Sequence, residues 1–332
     1  MIKKLIFILI CSVPVFAQYS QVSIKPGAFS RMGFGARGIG MGDAVSSVTS
    51  GNLTSYYNPA LSAFQEMNSA QVGYSFLSLD RSLNFLSFTR KFAFGKENDS
   101  DKPRATAGVS AGIINSGVSK IDGRDSQGQP TGDLSTSENQ FFLGLSNRFS
   151  EKFAVGIAAK FYYYKLYEEI TSTSIGFDIG AIYKFSPQLT ASFVIKDIKS
   201  KYEWDTSDIY GTDGRNTEDI FPVIKVFGLS YQFDDPKIIF AAEFEKSNAE
   251  TNYLKIGTEY NIYENLFLRA GINNWDLKNS EIQVRPSAGF SYFHNFDTFL
   301  LGIDYAFRYE PYSSSDQHII GINFNFWVIW KK

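Results

Sequence analysis

The sequence predicts an all-β protein, a transmembrane antiparallel β-barrel of about fourteen strands with an N-terminal plug or hatch segment. Three observations predict it. Stretch after stretch alternates apolar residues with small or polar ones, the period of a strand that is greasy on one face only. Glycine recurs in the middle of the opposite face, at Gly156, Gly176, Gly180, Gly257, Gly271 and Gly302. Short links alternate with long ones along the chain, as they do where periplasmic turns are tight and outer loops are not. A soluble sandwich also alternates, with its apolar face turned inward. It has no reason to alternate its link lengths.

Composition agrees. The chain has 332 residues, a formal net charge of -2, and 16% aromatic residues, with 31 Phe and 19 Tyr. Mean hydropathy is only -0.15, which suits strands that are half apolar. No run after the first residues is long and apolar enough for a transmembrane helix. Residues 1–17 read as a cleaved secretory signal: Lys3 and Lys4, an apolar core, then Val15-Phe16-Ala17. Cleavage there would remove Cys11, the single Cys, and with it any disulfide or thiol chemistry. An exported barrel belongs in the outer membrane of a Gram-negative bacterium.

Residues 18–67 form the plug or hatch. The stretch from Gly33 to Phe64 is rich in Gly, Ala and Ser and has no strand period. Small residues let backbone approach backbone. Asn58-Pro59 marks a turn, since Pro fixes its own φ and drives its predecessor out of the helical region. A cap beneath a soluble β-domain is the competing reading of this stretch alone.

Residues 68–332 form the wall. Strands are expected at 68–78, 83–94, 104–114, 138–149, 153–164, 173–184, 189–198, 222–233, 237–246, 252–261, 265–273, 282–293, 298–309 and 317–328. Phe299, Leu301, Ile303, Tyr305 and Phe307 oppose Gly302, Asp304, Ala306 and Arg308. Aromatics near strand ends, among them Phe149, Phe153, Tyr183, Phe185, Phe233, Tyr260, Phe293 and Tyr309, are expected at the membrane interfaces. Long outer loops are expected at 115–137 and 199–221. Two links break the alternation: the first outer loop, 79–82, is short, and the first link at the periplasmic end, 95–103, is long and charged. The last strand closes on the first.

Two groups of residues resemble a known family. Gly35-Ala36-Arg37, Gly40-Met41-Gly42 with Asp43 following, and Tyr57-Asn58-Pro59-Ala60-Leu61 resemble the opening of the PorV/PorQ family. That family lies within the wider group of FadL-like outer-membrane barrels. Asp304-Tyr305-Ala306 and Gln317-His318-Ile319-Ile320-Gly321-Ile322 resemble its last hairpin. Between the two the likeness is of pattern only. The resemblance implies that the Asn-Pro-Ala element lies in a hatch within the barrel. It also implies a part in type IX protein secretion or cell-surface attachment, with secretion proteins as partners. The alternative is passive transport of a hydrophobic small molecule. That would need an apolar pocket between Asn58-Pro59-Ala60 and the wall, and a gap in the wall.

Alternation points Lys160, Asp178, Lys184, Glu243, Glu245, Lys255, Glu259, Arg269, Asp304 and Arg308 into the lumen. Both signs are present, so ion pairs among them and with Arg37 and Asp43 are expected, in preference to a selectivity site. No enzyme is expected. His294, placed in a tight turn, and His318 stand alone, and no metal-ligand spacing, nucleophile elbow or phosphate loop occurs. No cofactor and no nucleic-acid partner is called for. The acidic loops at 115–137 and 199–221 match no calcium-loop pattern and read as solvated.

Overall fold

The computed structural model describes residues 22–94, 105–167 and 169–327. The expected signal at 1–17, the charged link at 95–103 and the end of the chain after Trp327 lie outside the described residues.

Among the described residues the strands are β1 (Asn68–Phe76), β2 (Arg81–Phe94), β3 (Ala105–Arg124), β4 (Pro130–Arg148), β5 (Phe153–Lys165), β6 (Thr171–Lys184), β7 (Leu189–Ile198), β8 (Lys201–Asp205), β9 (Asn216–Ile220), β10 (Ile224–Gln232), β11 (Ile238–Ser247), β12 (Asn252–Tyr263), β13 (Leu266–Asp276), β14 (Arg285–Phe296), β15 (Phe299–Arg308) and β16 (Gln317–Phe326). All but β8 and β9 join into one closed antiparallel barrel of fourteen strands. β1 pairs with β16 from Asn68↔Phe326 to Phe76↔His318. Closure leaves no sheet edge, which the bilayer interior would not tolerate.

The apolar face points outward. Ile303 and Ile322 face each other across β15 and β16. They are 55% and 53% exposed, whereas the next residues on each strand, Asp304 and Asn323, are 5% and 2% exposed. A soluble protein does not show a continuous apolar surface of this kind; a lipid-facing band does. The interface aromatics at Phe149, Phe153, Tyr183, Phe185, Phe233, Tyr260 and Tyr309 are exposed on it. Phe293 differs. It is half-buried and sits on the inner side of β14, its ring lying against Gly302.

Two expected loops are more ordered than the sequence suggests. Residues 115–137 extend β3 and β4 into a long hairpin. Its tip is held by Asp125 Oδ1, which accepts the N–H groups of Gln127 and Gln129 at 2.9 Å each. Both faces of this extension are polar, so hydrophobic period gives it no strand signal. Residues 199–221 hold a separate two-stranded sheet, β8 with β9, and a short helix (Ser207–Tyr210) between them. Two of the carboxylates on β9 are engaged locally: Glu218 with Lys201 at 2.8 Å and Asp219 with Trp204 Nε1 at 2.8 Å. His294 lies within β14 opposite Leu301, not in a turn.

Candidate functional site

Residues 22–67 lie against the inward side chains of the wall strands and carry much of the buried apolar surface, including Ile39, Met41, Ala44, Ala60 and Ala63 at 0% exposure. The 3-10 turn Pro59–Phe64 touches β2 through β6, while the helix Gly35–Gly40 touches β1 and β13 through β16. The two therefore brace opposite sides of the barrel.

Local chemistry explains the turn. The Asn58 side chain accepts the Ala60 N–H at 2.9 Å and so caps it, with Pro59 at the first position. Asn58 Nδ2 donates to the Ser46 carbonyl at 3.0 Å and reaches the Ala181 carbonyl of β6 at 3.4 Å. The wall glycines make room. A Cβ at Gly180 would overlap Asn58 Oδ1, and one at Gly156 would meet the Pro59 carbonyl carbon at 2.5 Å. On the far side Gly257 and Gly271 admit the backbone of Met41 and Gly42. Gly40 lies against Arg269, and its carbonyl accepts from Ser287 Oγ at 3.3 Å. Ala36 is buried within the same helix.

Charge completes the packing. Arg37 grips Glu259 with two hydrogen bonds, Nε to Oε2 at 2.9 Å and a terminal nitrogen to Oε1 at 2.7 Å. It also donates to the Ser50 and Asn52 carbonyls. Arg269 binds the same Glu259 at 2.6 Å. Asp43 accepts from Tyr57 Oη at 2.7 Å, Asn273 Nδ2 at 2.7 Å and Arg308 at 3.1 Å. The Ser46 N–H donates to Glu243. Burial pushes the Tyr57 hydroxyl well above its ordinary range, with Asp43 adding to the effect; it stays a donor. Lys255 pairs with Glu245 at 2.6 Å. Lys184 is half-buried, its ammonium 5.5 Å from the centre of the Phe64 ring.

A second network joins wall to wall. Lys160 Nζ lies 2.8 Å from both Asp178 and Asp197. Tyr162 Oη donates to Asp197 at 2.7 Å, and the Asp197 N–H donates to Asp178 at 2.8 Å. Sequence reasoning did not find Asp197. Strict alternation on β7 turns it outward, but its backbone adopts φ +61°, as does that of Lys199, and the side chain swings inside. Here the β6–β7 ladder also ends. After Ile179↔Ile195 the register shifts, and the last pair is Phe177↔Ile198. The outer end of β6 instead receives β8 from the inside, Glu203 N–H to Ser172 Oγ at 2.8 Å. Tyr162, Tyr164, Tyr202, Trp204 and Phe221 stack there, with ring centres about 5 Å apart.

Among the described residues, Asn58, Pro59 and Ala60 lie directly against the wall at Gly156 and Gly180, which leaves no room for an apolar pocket at those contacts. A gap of about 20 Å³ lies within the N-terminal segment, lined by Phe34, Leu53, Tyr57 and Leu61 among others. That is room for about one water. A larger cavity, about 220 Å³, opens at the short-turn end beside Arg37, Glu259 and Asp304.

No protein-family model matches the sequence, and no curated protein matches it. Solved structures do. A TodX mutant described as a monoaromatic hydrocarbon channel aligns with TM-score 0.59 at 14% identity, over 89% of this chain and 99% of that one. The Pseudomonas putida toluene transporter TodX aligns with TM-score 0.56 at 15% identity, over 88% and 96%. A Pseudomonas aeruginosa FadL homologue aligns with TM-score 0.55 at 12% identity, over 88% and 98%. The fold is FadL-like. At these identities the likeness concerns the fold alone, and it does not reach the narrower PorV/PorQ resemblance of the two end motifs.

Proposed function

We propose that this chain is an outer-membrane channel for a small hydrophobic molecule, with residues 22–67 as its hatch. The observation that carries the reading is the early end of the β6–β7 ladder beside the aromatic stack of Tyr162, Tyr164, Tyr202, Trp204 and Phe221. An apolar solute needs an apolar route, and unpaired backbone in a barrel wall is tolerated where it borders protein or a cavity. The FadL-like fold supports the same reading. The tight seat of Asn58-Pro59-Ala60 implies that passage requires the hatch to shift. Uptake of a radiolabelled monoaromatic hydrocarbon by cells carrying the protein tests it. Saturable uptake above that of cells lacking the protein is expected, falling about tenfold when Trp204→Asp sets a charge in the aromatic stack, the scale of a penalty of about 1.4 kcal/mol. Equal uptake with and without the protein would refute it.

The long exposed hairpin of β3 and β4 favours a second reading, the secretion or attachment role implied by the PorV/PorQ resemblance. Such a hairpin offers a partner protein an outer docking surface. Removing residues 116–136 would then abolish co-purification of large partners while leaving hydrocarbon uptake intact.

A further inference from the structure

The lipid face of β10 and β11 carries an arrangement that the uptake reading does not use. Lys225 of β10 and Lys246 of β11 stand directly opposite each other in the ladder. Both are exposed and alternate with buried or half-buried inward residues, so both side chains leave on the lipid side. Directly opposed residues have Cα atoms about 5 Å apart, and like charges so placed repel. Neither lysine has a carboxylate partner among the described residues. Glu243 and Glu245, the acids on the same strand as Lys246, face the lumen, where they take the Ser46 N–H and Lys255. Asp197, on the strand at the other side of β10, turns inside to Lys160. Several other outward polar side chains toward the long-loop end are satisfied within the protein. Asn84 Nδ2 donates to Asn115 Oδ1 at 3.0 Å, and Asn115 Nδ2 donates to Asn139 Oδ1 at 2.7 Å. Tyr305 Oη lies 2.8 Å from His318 Nδ1. The lysine pair has no such arrangement.

The strand sets the height of the pair. β10 and β11 meet in a short turn after Phe233, and the lysines lie at the opposite end of the ladder. From Phe233 to Lys225 the chain runs roughly 26 Å at about 3.3 Å per residue. At a tilt near 40° that is about 20 Å of height, against an apolar band about 25 Å tall. The flexible stems carry the ammonium groups further toward the water. Below the lysines the lipid face is apolar, with Phe227 opposite Phe244 and then Leu229 opposite Ala242. Ala242 is also opposite Ile256 of β12, so its small side chain floors a furrow between Leu229 and Ile256. We infer that Lys225 and Lys246 hold a phosphate group of an anionic lipid in the outer leaflet. The phosphate oxygens accept from both ammonium groups and remove the repulsion between them. An acyl chain of the same lipid runs down past Phe227 and Phe244 into the furrow. A free anion would use the lysines but not the apolar column beneath them. The inference rests on the long-loop end facing outward, and not on the uptake reading, whose aromatic stack lies on the inner side of the wall.

Titration calorimetry on the purified full chain in a neutral detergent tests the assignment, with diphosphoryl lipid A, phosphatidylcholine and inorganic phosphate as probes. Diphosphoryl lipid A is expected to bind at least tenfold more tightly than either of the others. The double variant Lys225→Gln/Lys246→Gln is expected to bind it about thirtyfold more weakly, or about 2 kcal/mol, the scale of two lysines at an anionic surface. A control, Lys152→Gln/Lys237→Gln, removes two exposed lysines at the short-turn end and is expected to leave the affinity unchanged. Thermal melts give a second readout. In detergent alone the Lys225→Gln/Lys246→Gln variant is expected to melt no lower than the unaltered chain, since only a repulsion is lost. With lipid A the midpoint of the unaltered chain should rise and that of the variant should not. Phosphatidylcholine or inorganic phosphate binding as tightly as lipid A, undiminished affinity in the double variant, an equal loss in the control, or a lower midpoint of the double variant in detergent alone would each overturn the proposal. Hydrocarbon uptake is expected to persist in the double variant, so failure of the lipid site and failure of the uptake reading are told apart.

Discussion

Glu259 and Asp197 are both buried carboxylates that receive two side-chain donors each, yet they join different parts of the chain. Glu259 takes Arg37 from the N-terminal segment and Arg269 from β13. Asp197 takes Lys160 and Tyr162, both from β5, while its own N–H donates to Asp178 of β6. The first ties the N-terminal segment to the wall. The second ties β5, β6 and β7 together where the backbone ladder between β6 and β7 gives out. The same chemistry thus joins the N-terminal segment to the wall in one place and substitutes for sheet in the other. Breaking each should fail in a different way.

The largest effect is expected from Glu259→Ala. It leaves two buried guanidinium groups without their carboxylate, and removing one partner of a buried pair costs about 3–5 kcal/mol. The loss should fall on the N-terminal segment. Single-channel conductance in planar bilayers is expected to rise, and residues near Arg37 to become open to protease, while the barrel keeps its heat-resistant mobility on gels. Asp43→Ala should act in the same direction but less strongly, because Arg308 keeps Glu310 at 2.8 Å and the Met32 carbonyl at 2.9 Å. Intact gating in Glu259→Ala would mean that glycine packing alone retains the segment.

Asp197→Ala is expected to cost a comparable amount but to show itself in the wall. The thermal midpoint of the barrel should drop, and hydrogen exchange should rise in β5 to β7 before it rises in residues 22–67. If Asp197→Ala raised conductance as Glu259→Ala does, the distinction between the two networks would be lost.

The glycines sharpen the contrast at a smaller scale. Gly180→Ala puts a methyl group onto Asn58 Oδ1, which accepts from the Ala60 N–H while Asn58 Nδ2 donates to the Ser46 carbonyl, so the side chain cannot easily move. Overpacking of this kind costs about 1–3 kcal/mol. Gly302→Ala instead meets the edge of the Phe293 ring, which borders the cavity at the short-turn end and has room to turn. Gly180→Ala should lower the unfolding midpoint more than Gly302→Ala in the same thermal melt.

Much of this was legible in the residues because a lipid-facing barrel writes a period of two into its sequence. Ile303 and Asp304 alternate on the page as they do in space. The glycines on the inner face announced a close-packed interior, though not which segment would touch which glycine. Three things escaped. Asp197 was hidden because one left-handed residue reverses the facing of its side chain. The β3–β4 extension was hidden because its strands are polar on both faces. Phe293 was placed with the interface aromatics because position near a strand end does not say which face a ring takes; only its pairing opposite Gly302 does.

The smallest effect expected lies outside the membrane, in the turn that joins β8 to the short helix after it. The Ser207 hydroxyl, followed by its N–H at 2.9 Å, donates to Asp205 and holds that exposed carboxyl below its ordinary range. A depressed carboxylate contributes its stabilisation above its unfolded pKa, near 4, and loses it as pH falls through the lower folded value. The turn should therefore be firm at neutral pH and loosen only in acid, leaving both networks inside the barrel unaffected. Ser207→Ala should move the Asp205 titration, followed by carboxyl-carbon NMR, back upward toward the usual carboxylate range. If the Asp205 titration stayed where it was, the hydroxyl would not be what holds this loop, and the outer sheet would owe its order to the Lys201 and Trp204 contacts alone.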